Sequence, residues 1–271
     1  MTAHPAARKI SFTGSVATGK KIAQSAAPDL KHVTLELGGN DPAIVLGDVD
    51  PAKIAGKMFW SAFYNSGQVC IAIKRVYAHE SVYNGLVAAL ADQARTTKIG
   101  DGSQEGVQLG PINNRMQFER VTSLVEDAKR AGAQMAAGGG PRSGPGFLFE
   151  PTIVTDVADG TRLVDEEQFG PALPVMPFHD LEEAIERANA TPLRPRGLGL
   201  DLGRLPRGRD RVQASGTGWV NEHGPLDPVV PFGGAKWSGL GHEFGALGLD
   251  SYTHAQVVRV AKAMNDRAAP A

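Results

Sequence analysis

Apolar positions along this chain recur with two periods that take turns. Short apolar runs at residues 10–12, 33–37, 41–46, 73–78, 149–154 and 173–178 have the length and the glycine- or proline-rich borders of strands. Between them the apolar residues return at helical spacing: Ile54 and Met58, then Val82, Leu86, Ala89 and Leu90, then Phe118, Val121, Val125 and Ala128, then Leu181, Ala184, Ile185 and Ala188. These stripes predict helices over 81–97 and 114–131 and from 51 and 181 onward, with a further helix over 16–26. Asp50-Pro51 and Asp180 supply N-caps, and Pro51 suits the first helical position. Residues 218–220 and 252–260 read as additional strands. Strands alternating with helices predict an α/β fold with a parallel-rich sheet flanked by helices.

Composition narrows the classes of function more than it narrows the fold. A 42% apolar, 21% charged chain of 271 residues with 33 glycines is that of an ordinary globular protein. The net charge of −1 gives no electrostatic support for a nucleic-acid partner. No apolar run reaches the length of a membrane span, so no membrane partner is expected. One cysteine in the whole chain excludes an internal disulfide framework and suits a reducing, cytoplasmic location.

That cysteine, Cys70, ends the stretch Phe63-Tyr64-Asn65-Ser66-Gly67-Gln68-Val69-Cys70, a turn of small residues rather than a periodic core face. Two readings stay open from the residue alone: a small buried hydrophobe, or a nucleophile with partners elsewhere. Ile10-Ser11-Phe12-Thr13-Gly14-Ser15 is a strand entering a glycine turn before a helix. Such a turn is either purely structural or a place for a phosphate. The acids Asp165, Glu166 and Glu167 precede Phe169-Gly170-Pro171 and read as a solvated turn.

Taken together, five motifs resemble the signatures of the aldehyde dehydrogenase superfamily, in that family's order: Phe12-Thr13-Gly14-Ser15, Leu35-Glu36-Leu37-Gly38-Gly39, Gly67-Gln68-Val69-Cys70, Glu167-Gln168-Phe169-Gly170-Pro171, and Pro231-Phe232-Gly233-Gly234-Ala235-Lys236-Trp237-Ser238-Gly239. The resemblance covers nearly the whole chain. It implies an oxidoreductase that converts an aldehyde to a carboxylic acid with NAD or NADP. Cys70 would be the nucleophile, forming a thiohemiacetal and then a thioester, and Glu36 the base that activates the hydrolytic water. Gly14, Ser15, Leu37, Glu167 and Phe169 would meet the cofactor, and Leu226 and Phe232 the substrate. No metal is implied. The chemistry requires these types: a thiolate is the competent nucleophile, and a carboxylate in an apolar strand is suited to proton abstraction.

The resemblance also implies a domain plan. Residues 1–37 correspond to a remnant of a Rossmann-like dinucleotide-binding domain, 38–245 to the catalytic domain, and 246–271 to a C-terminal strand and tail. The 252–260 strand is the family's route to a homo-oligomer. Family members carry a long N-terminal portion with most of the cofactor cradle and an oxyanion-hole asparagine, so a truncated chain with impaired turnover is expected. The same motifs would persist in a non-catalytic remnant or a partner-binding subunit of this fold.

One segment departs from the family pattern. Residues 193–209 are rich in leucine and contain five arginines where a Tyr-Gly-Leu segment and a strand ending in Val-Trp are expected. Read one nucleotide later, suitable codons for this segment encode a peptide of the expected kind. A local frameshift and a genuine basic loop are the two readings.

Overall fold

A computed structural model describes residues 1–191 and 217–260, so the 193–209 anomaly and the end of the tail lie outside the described residues. The chain enters on β1 (Lys9–Thr13) and passes through Gly14-Ser15 into α1 (Val16–Ala26). Ser15 caps this helix by accepting a 3.2 Å hydrogen bond from the backbone of Thr18. β2 (His32–Glu36) lies parallel to β1, with Phe12 opposite Leu35 and Thr13 opposite Glu36.

Next come β3 (Asp41–Val45), α2 (Pro51–Phe63), β4 (Ile73–His79), α3 (Glu80–Thr96) and α4 (Arg115–Arg130). Asp50 caps α2 with Pro51 at its start, as the sequence predicts. β5 (Gln134–Ala137), β6 (Thr152–Thr155), the single turn α5 (Arg162–Asp165), β7 (Ala172–Phe178) and α6 (Leu181–Asn189) follow. After the undescribed segment come the two-residue β8 (Gly239–Leu240) and α7 (Gly245–Asp250).

Five strands form the larger sheet in the order β3-β4-β7-β6-β5. The first four are parallel, and β5 runs antiparallel to β6. Alternation along each strand divides the core between the two faces. Val76 and Val175 pack with Met58, Phe59, Leu86 and Leu90 of α2 and α3. Tyr77 and Met176 pack with Val121, Leu124 and Val125 of α4 and with Ala184 and Ala188 of α6. Burial on both faces is what a parallel sheet requires, and each fully buried large side chain contributes about 1.5–3 kcal/mol.

The smaller sheet has the order β1-β2-β8, so the C-terminal signature returns to the strand that carries Glu36. Gly239 sits opposite Glu36, and Leu37 donates to the carbonyl of Ser238 at 2.9 Å. Glycine is needed at 239 because a Cβ there would lie 2.5 Å from the Leu35 carbonyl oxygen.

Several expectations are corrected. Residues 218–220 form no strand; Trp219 instead donates from its indole to the Pro225 carbonyl at 3.0 Å, which folds the segment back on itself. Residues 252–260 belong to no ladder among the described residues, and Val257, Val258 and Val260 are exposed. The strand expected over 149–154 begins only at Thr152, since Phe149 makes an isolated bridge to Pro141.

Candidate active site

Cys70 is delivered by a strained turn. α2 stops at Phe63, and the next residues pass through three consecutive left-handed positions: Asn65 (φ 52°), Ser66 (φ 56°) and Gly67 (φ 72°). Each such non-glycine residue costs on the order of 1–3 kcal/mol, so the surroundings must over-determine the turn. They do. Ser66 donates to the Gly110 carbonyl at 2.8 Å, Gln68 accepts from the Asn113 backbone at 2.8 Å, and Lys74 donates to the carbonyl of Gly67. Cys70 emerges half-buried in the wall of one cavity, and its neighbours Val69 and Ile71 line a second.

Opposite it lies the loop that joins α5 to β7. The Gly39 backbone donates to Glu167 Oε1 at 2.9 Å. A Cβ on Gly38 would sit 2.1 Å from Glu167 Oε2, and a Cβ on Gly39 would sit 2.3 Å from the Cys70 carbonyl oxygen. The glycine pair is therefore a thin wall with the cysteine segment on one side and the carboxylate on the other.

α4 and the core hold that loop from behind. Gln117 donates to the carbonyls of Gln168 and Phe169 at 2.7 and 3.0 Å, and Arg120 to the carbonyl of Glu167 at 3.1 Å. The buried Gln168 side chain donates to the Leu163 and Lys74 carbonyls, while Asn40 reaches the Val164 carbonyl at 2.8 Å. Phe169 is thereby held at φ 46°, a second strained position beside the same cavity.

The expectation of a simple solvated turn at the three acids is corrected by this arrangement. Glu167 turns inward to Gly39, and Asp165 accepts from the Gly160 backbone. Arg162 above all, with Arg120, holds the Glu166 carboxyl below the usual carboxylate range.

Glu36 ends β2 in a buried position, with its carbonyl accepting from the Gly14 backbone at 2.9 Å. Of the sequence-predicted residues, Gly14, Ser15, Leu37, Cys70, Glu167 and Phe169 line one cavity of about 1090 Å³. Glu36 lies next in the chain to Leu37 of that lining. Leu226 and Phe232 are not brought there: Leu226 is 45% exposed, and Phe232 is buried near Phe244 with its backbone bonded to Glu243.

The same cavity includes Lys20 and Trp237, which sequence reasoning did not single out; the Lys20 ammonium lies 3.8 Å from the indole centroid. Trp237 belongs to the C-terminal motif, which was the available signal.

A second cavity, of about 430 Å³, is lined by Val69 and Ile71, the two neighbours of Cys70, with Trp60, Tyr64 and His223. Burial pushes the His223 imidazole down to about 4, so it is neutral at pH 7. Its Nε2 bonds the Ile71 carbonyl, which can only accept, so Nε2 carries the proton. None of these three side chains was expected from sequence, because only the fold gathers them.

Among the described residues no group of His, Cys, Asp and Glu is placed to hold a metal ion, and no helix is long and apolar enough to cross a membrane. The larger cavity fits a nucleotide. The wall at Gly38 is bare where a Cβ would displace Glu167, the turn at Gly14-Ser15 opens onto the N-terminus of α1, and a carboxylate and an aromatic ring stand opposite.

Comparison with known proteins gives a consistent result. The aldehyde dehydrogenase family pattern matches residues 1–258. A probable aldehyde dehydrogenase of Pseudomonas sp is 42% identical over 261 residues, covering 95% of this chain and 53% of that protein. Betaine aldehyde dehydrogenase 1 of Rhizobium meliloti is 41% identical over 262 residues, with 95% and 54% covered. The NAD+ complex of an aldehyde dehydrogenase from Bacillus cereus superposes with a TM-score of 0.88 at 39% identity, covering 93% of this chain and 52% of that one. The chain thus spans about half the length of the curated relatives it matches.

Proposed function

The chain belongs to the aldehyde dehydrogenase family, and from that premise we propose that it oxidises an aldehyde to a carboxylic acid with NAD+ or NADP+ through a covalent adduct on Cys70. The observation that carries this reading is the glycine wall: Gly38 and Gly39 separate Cys70 from Glu167 by the thickness of one backbone, in a cavity large enough for a nucleotide.

Cys70, as thiolate, attacks the carbonyl carbon, and the backbone N–H of Cys70 is assigned to the resulting oxyanion. Leu37, Glu167 and Phe169 would hold a nicotinamide nucleotide whose chemistry is to accept a hydride, and loss of that hydride from the adduct would leave a thioester on Cys70. Glu36 takes a proton from water, the hydroxide adds to the thioester carbon, and the C–S bond breaks to release the acid and the thiolate.

Glu167, whose carboxylate accepts from the Gly39 backbone, suits the vicinal hydroxyls of a ribose, with Phe169 and Leu37 as apolar walls. Gly14 and Ser15, at the start of α1, suit the pyrophosphate. The aldehyde is assigned to the smaller cavity behind Val69 and Ile71, whose Trp60 and Tyr64 favour an apolar or aromatic tail.

Among the described residues the cofactor side of the large cavity is walled by the β1–α1 unit. The reading includes a reducing, cytoplasmic setting that keeps the thiol active, and a subunit contact through the exposed valines of residues 252–260.

The test is to incubate the purified chain with an aldehyde and NAD+ or NADP+, then follow the mass of the Cys70 peptide together with reduced cofactor. An acyl adduct that needs cofactor and vanishes in Cys70→Ala is the expected result. A folded chain that forms no such adduct with aliphatic, aromatic or betaine aldehydes would be a non-catalytic member of the family.

A further inference from the structure

We propose that Lys74 is a positioning residue for Cys70: its ammonium fastens the carbonyl of Gly67, in the turn that delivers the cysteine, and places a positive charge where it favours the thiolate. The proposal rests on Cys70 being the nucleophile, and it adds a residue that none of the sequence motifs contains.

Lys74 is the second residue of β4 and is only 1% exposed. Its side chain runs back along the chain rather than out to solvent. Nζ donates to Gly67 and lies 5.4 Å from the centroid of the Phe169 ring. The Lys74 carbonyl in turn accepts from Gln168 at 3.3 Å. One residue therefore joins both strained segments, the Asn65-to-Gly67 turn and the Phe169 loop.

The groups that face this ammonium come from three directions: Glu167 from the loop before β7, Asp41 from the start of β3, and Cys70 from its own segment. His223 is close enough to feel its charge and is kept neutral partly by it. Arg75 does not duplicate the role, because it faces the other way and donates to the carbonyls of Asn40 and Ala188. Burial pushes the Lys74 amine down to about 8, with Glu167, Asp41 and Cys70 opposing that shift. The ammonium form still predominates at pH 7, and an ammonium beside a thiolate stabilises it.

A purely structural lysine would brace the loops without changing how the thiol titrates. The pH dependence of Cys70 alkylation by iodoacetamide separates the two cases, and it uses neither aldehyde nor cofactor. Aldehyde oxidation and this proposal can thus fail independently. In the unmodified chain the alkylation midpoint is expected below the value of about 8.5 of an ordinary cysteine. Lys74→Gln keeps a donor for the Gly67 carbonyl but removes the charge, and is expected to raise the midpoint by about one pH unit, with thermal melting confirming that the chain is folded. An unmodified midpoint at or above the ordinary value, or a folded K74Q chain with an unchanged midpoint, overturns the proposal. Should K74Q fail to fold, the unmodified profile decides alone.

Discussion

The backbone N–H of Gly39 and the carboxylate of Glu167, 128 residues apart in sequence, meet in a 2.9 Å hydrogen bond. The neighbouring Gly38 leaves the space that the second carboxylate oxygen occupies, since a Cβ there would lie 2.1 Å from Oε2. Because that oxygen ends a flexible side chain, Gly38→Ala should displace Glu167 at little cost in stability. Binding should suffer instead, with NAD+ affinity falling about tenfold as hydrogen bonds to a charged acceptor are lost. Fluorescence titration of the cofactor, alongside a thermal melt, measures both. Unchanged affinity would remove Glu167 from the cofactor site. Gly39→Ala differs in kind, because its Cβ would meet the Cys70 backbone; overpacking of that sort costs about 1–3 kcal/mol and should lower the melting temperature.

Glu36→Gln preserves shape at the end of β2 while removing the proposed base. Acylation of Cys70 should persist, and hydrolysis of the thioester should slow by about 10²–10⁴-fold, the usual contribution of a positioned base. Rapid quenching followed by intact mass then finds the acyl adduct accumulating on the E36Q chain. Equal decay rates in the two proteins would exclude Glu36 from the hydrolytic step.

The elements legible in the sequence were those with a strong local signal. α1 spans residues 16–26, as expected for a helix that follows the Gly14-Ser15 turn, and Asp50-Pro51 marks the start of α2. β5 escaped notice because Gln134-Met135-Ala136-Ala137 lacks the β-branched and aromatic residues that mark strands, and α5 because it is one acidic turn. Residues 218–220 and 252–260 have strand-like composition, but a strand also needs a neighbour to pair with, and sequence pattern does not supply one.

At the site, Cys70 and Glu167 were legible only as parts of motifs; the hydrogen bond from Gly39 to Glu167 is a product of the fold. Ile73-Lys74-Arg75 shows why local polarity misleads. Two adjacent charges in a strand suggest at least one solvent-facing side, yet both side chains are buried and anchored to backbone carbonyls.

His223 makes stability depend on pH in a definite direction. Burial lowers its pKa to about 4 in the folded chain from 6.5, so between those values the unfolded state binds more protons than the folded one. Stability therefore rises with pH across that window, and its contribution is lost as pH falls from 6.5 towards 4. The full loss is on the order of 3 kcal/mol. Urea unfolding at several pH values between 4 and 7 should show this slope, and His223→Gln should flatten it. A slope that the H223Q chain keeps would assign the acid sensitivity elsewhere. Lys74, also a base with a lowered pKa, acts in the separate window from about 8 to 10.5, where stability again rises with pH.

Gly67 brings conformation and reactivity together. Its φ of 72° is left-handed, and a Cβ would lie 2.4 Å from the Gly170 carbonyl oxygen, a backbone atom that cannot swing aside. Gly67→Ala therefore incurs both the conformational penalty and a clash, together about 2–4 kcal/mol. Gly132, with φ 99° and nothing within 4 Å of an added Cβ, provides the control. Gly132→Ala should incur only the conformational part, about 1 kcal/mol, in a turn after α4. If the Cys70 turn is strained in order to present the thiol, the two substitutions must differ in more than stability. In the G67A chain, kept folded at low temperature, the Gly67 carbonyl leaves the Lys74 ammonium and alkylation of Cys70 at pH 7 slows severalfold. In the G132A chain the melting temperature drops while alkylation keeps its rate. Equal alkylation rates in both folded variants would mean that the left-handed turn serves packing alone and that the reactivity of Cys70 owes nothing to it.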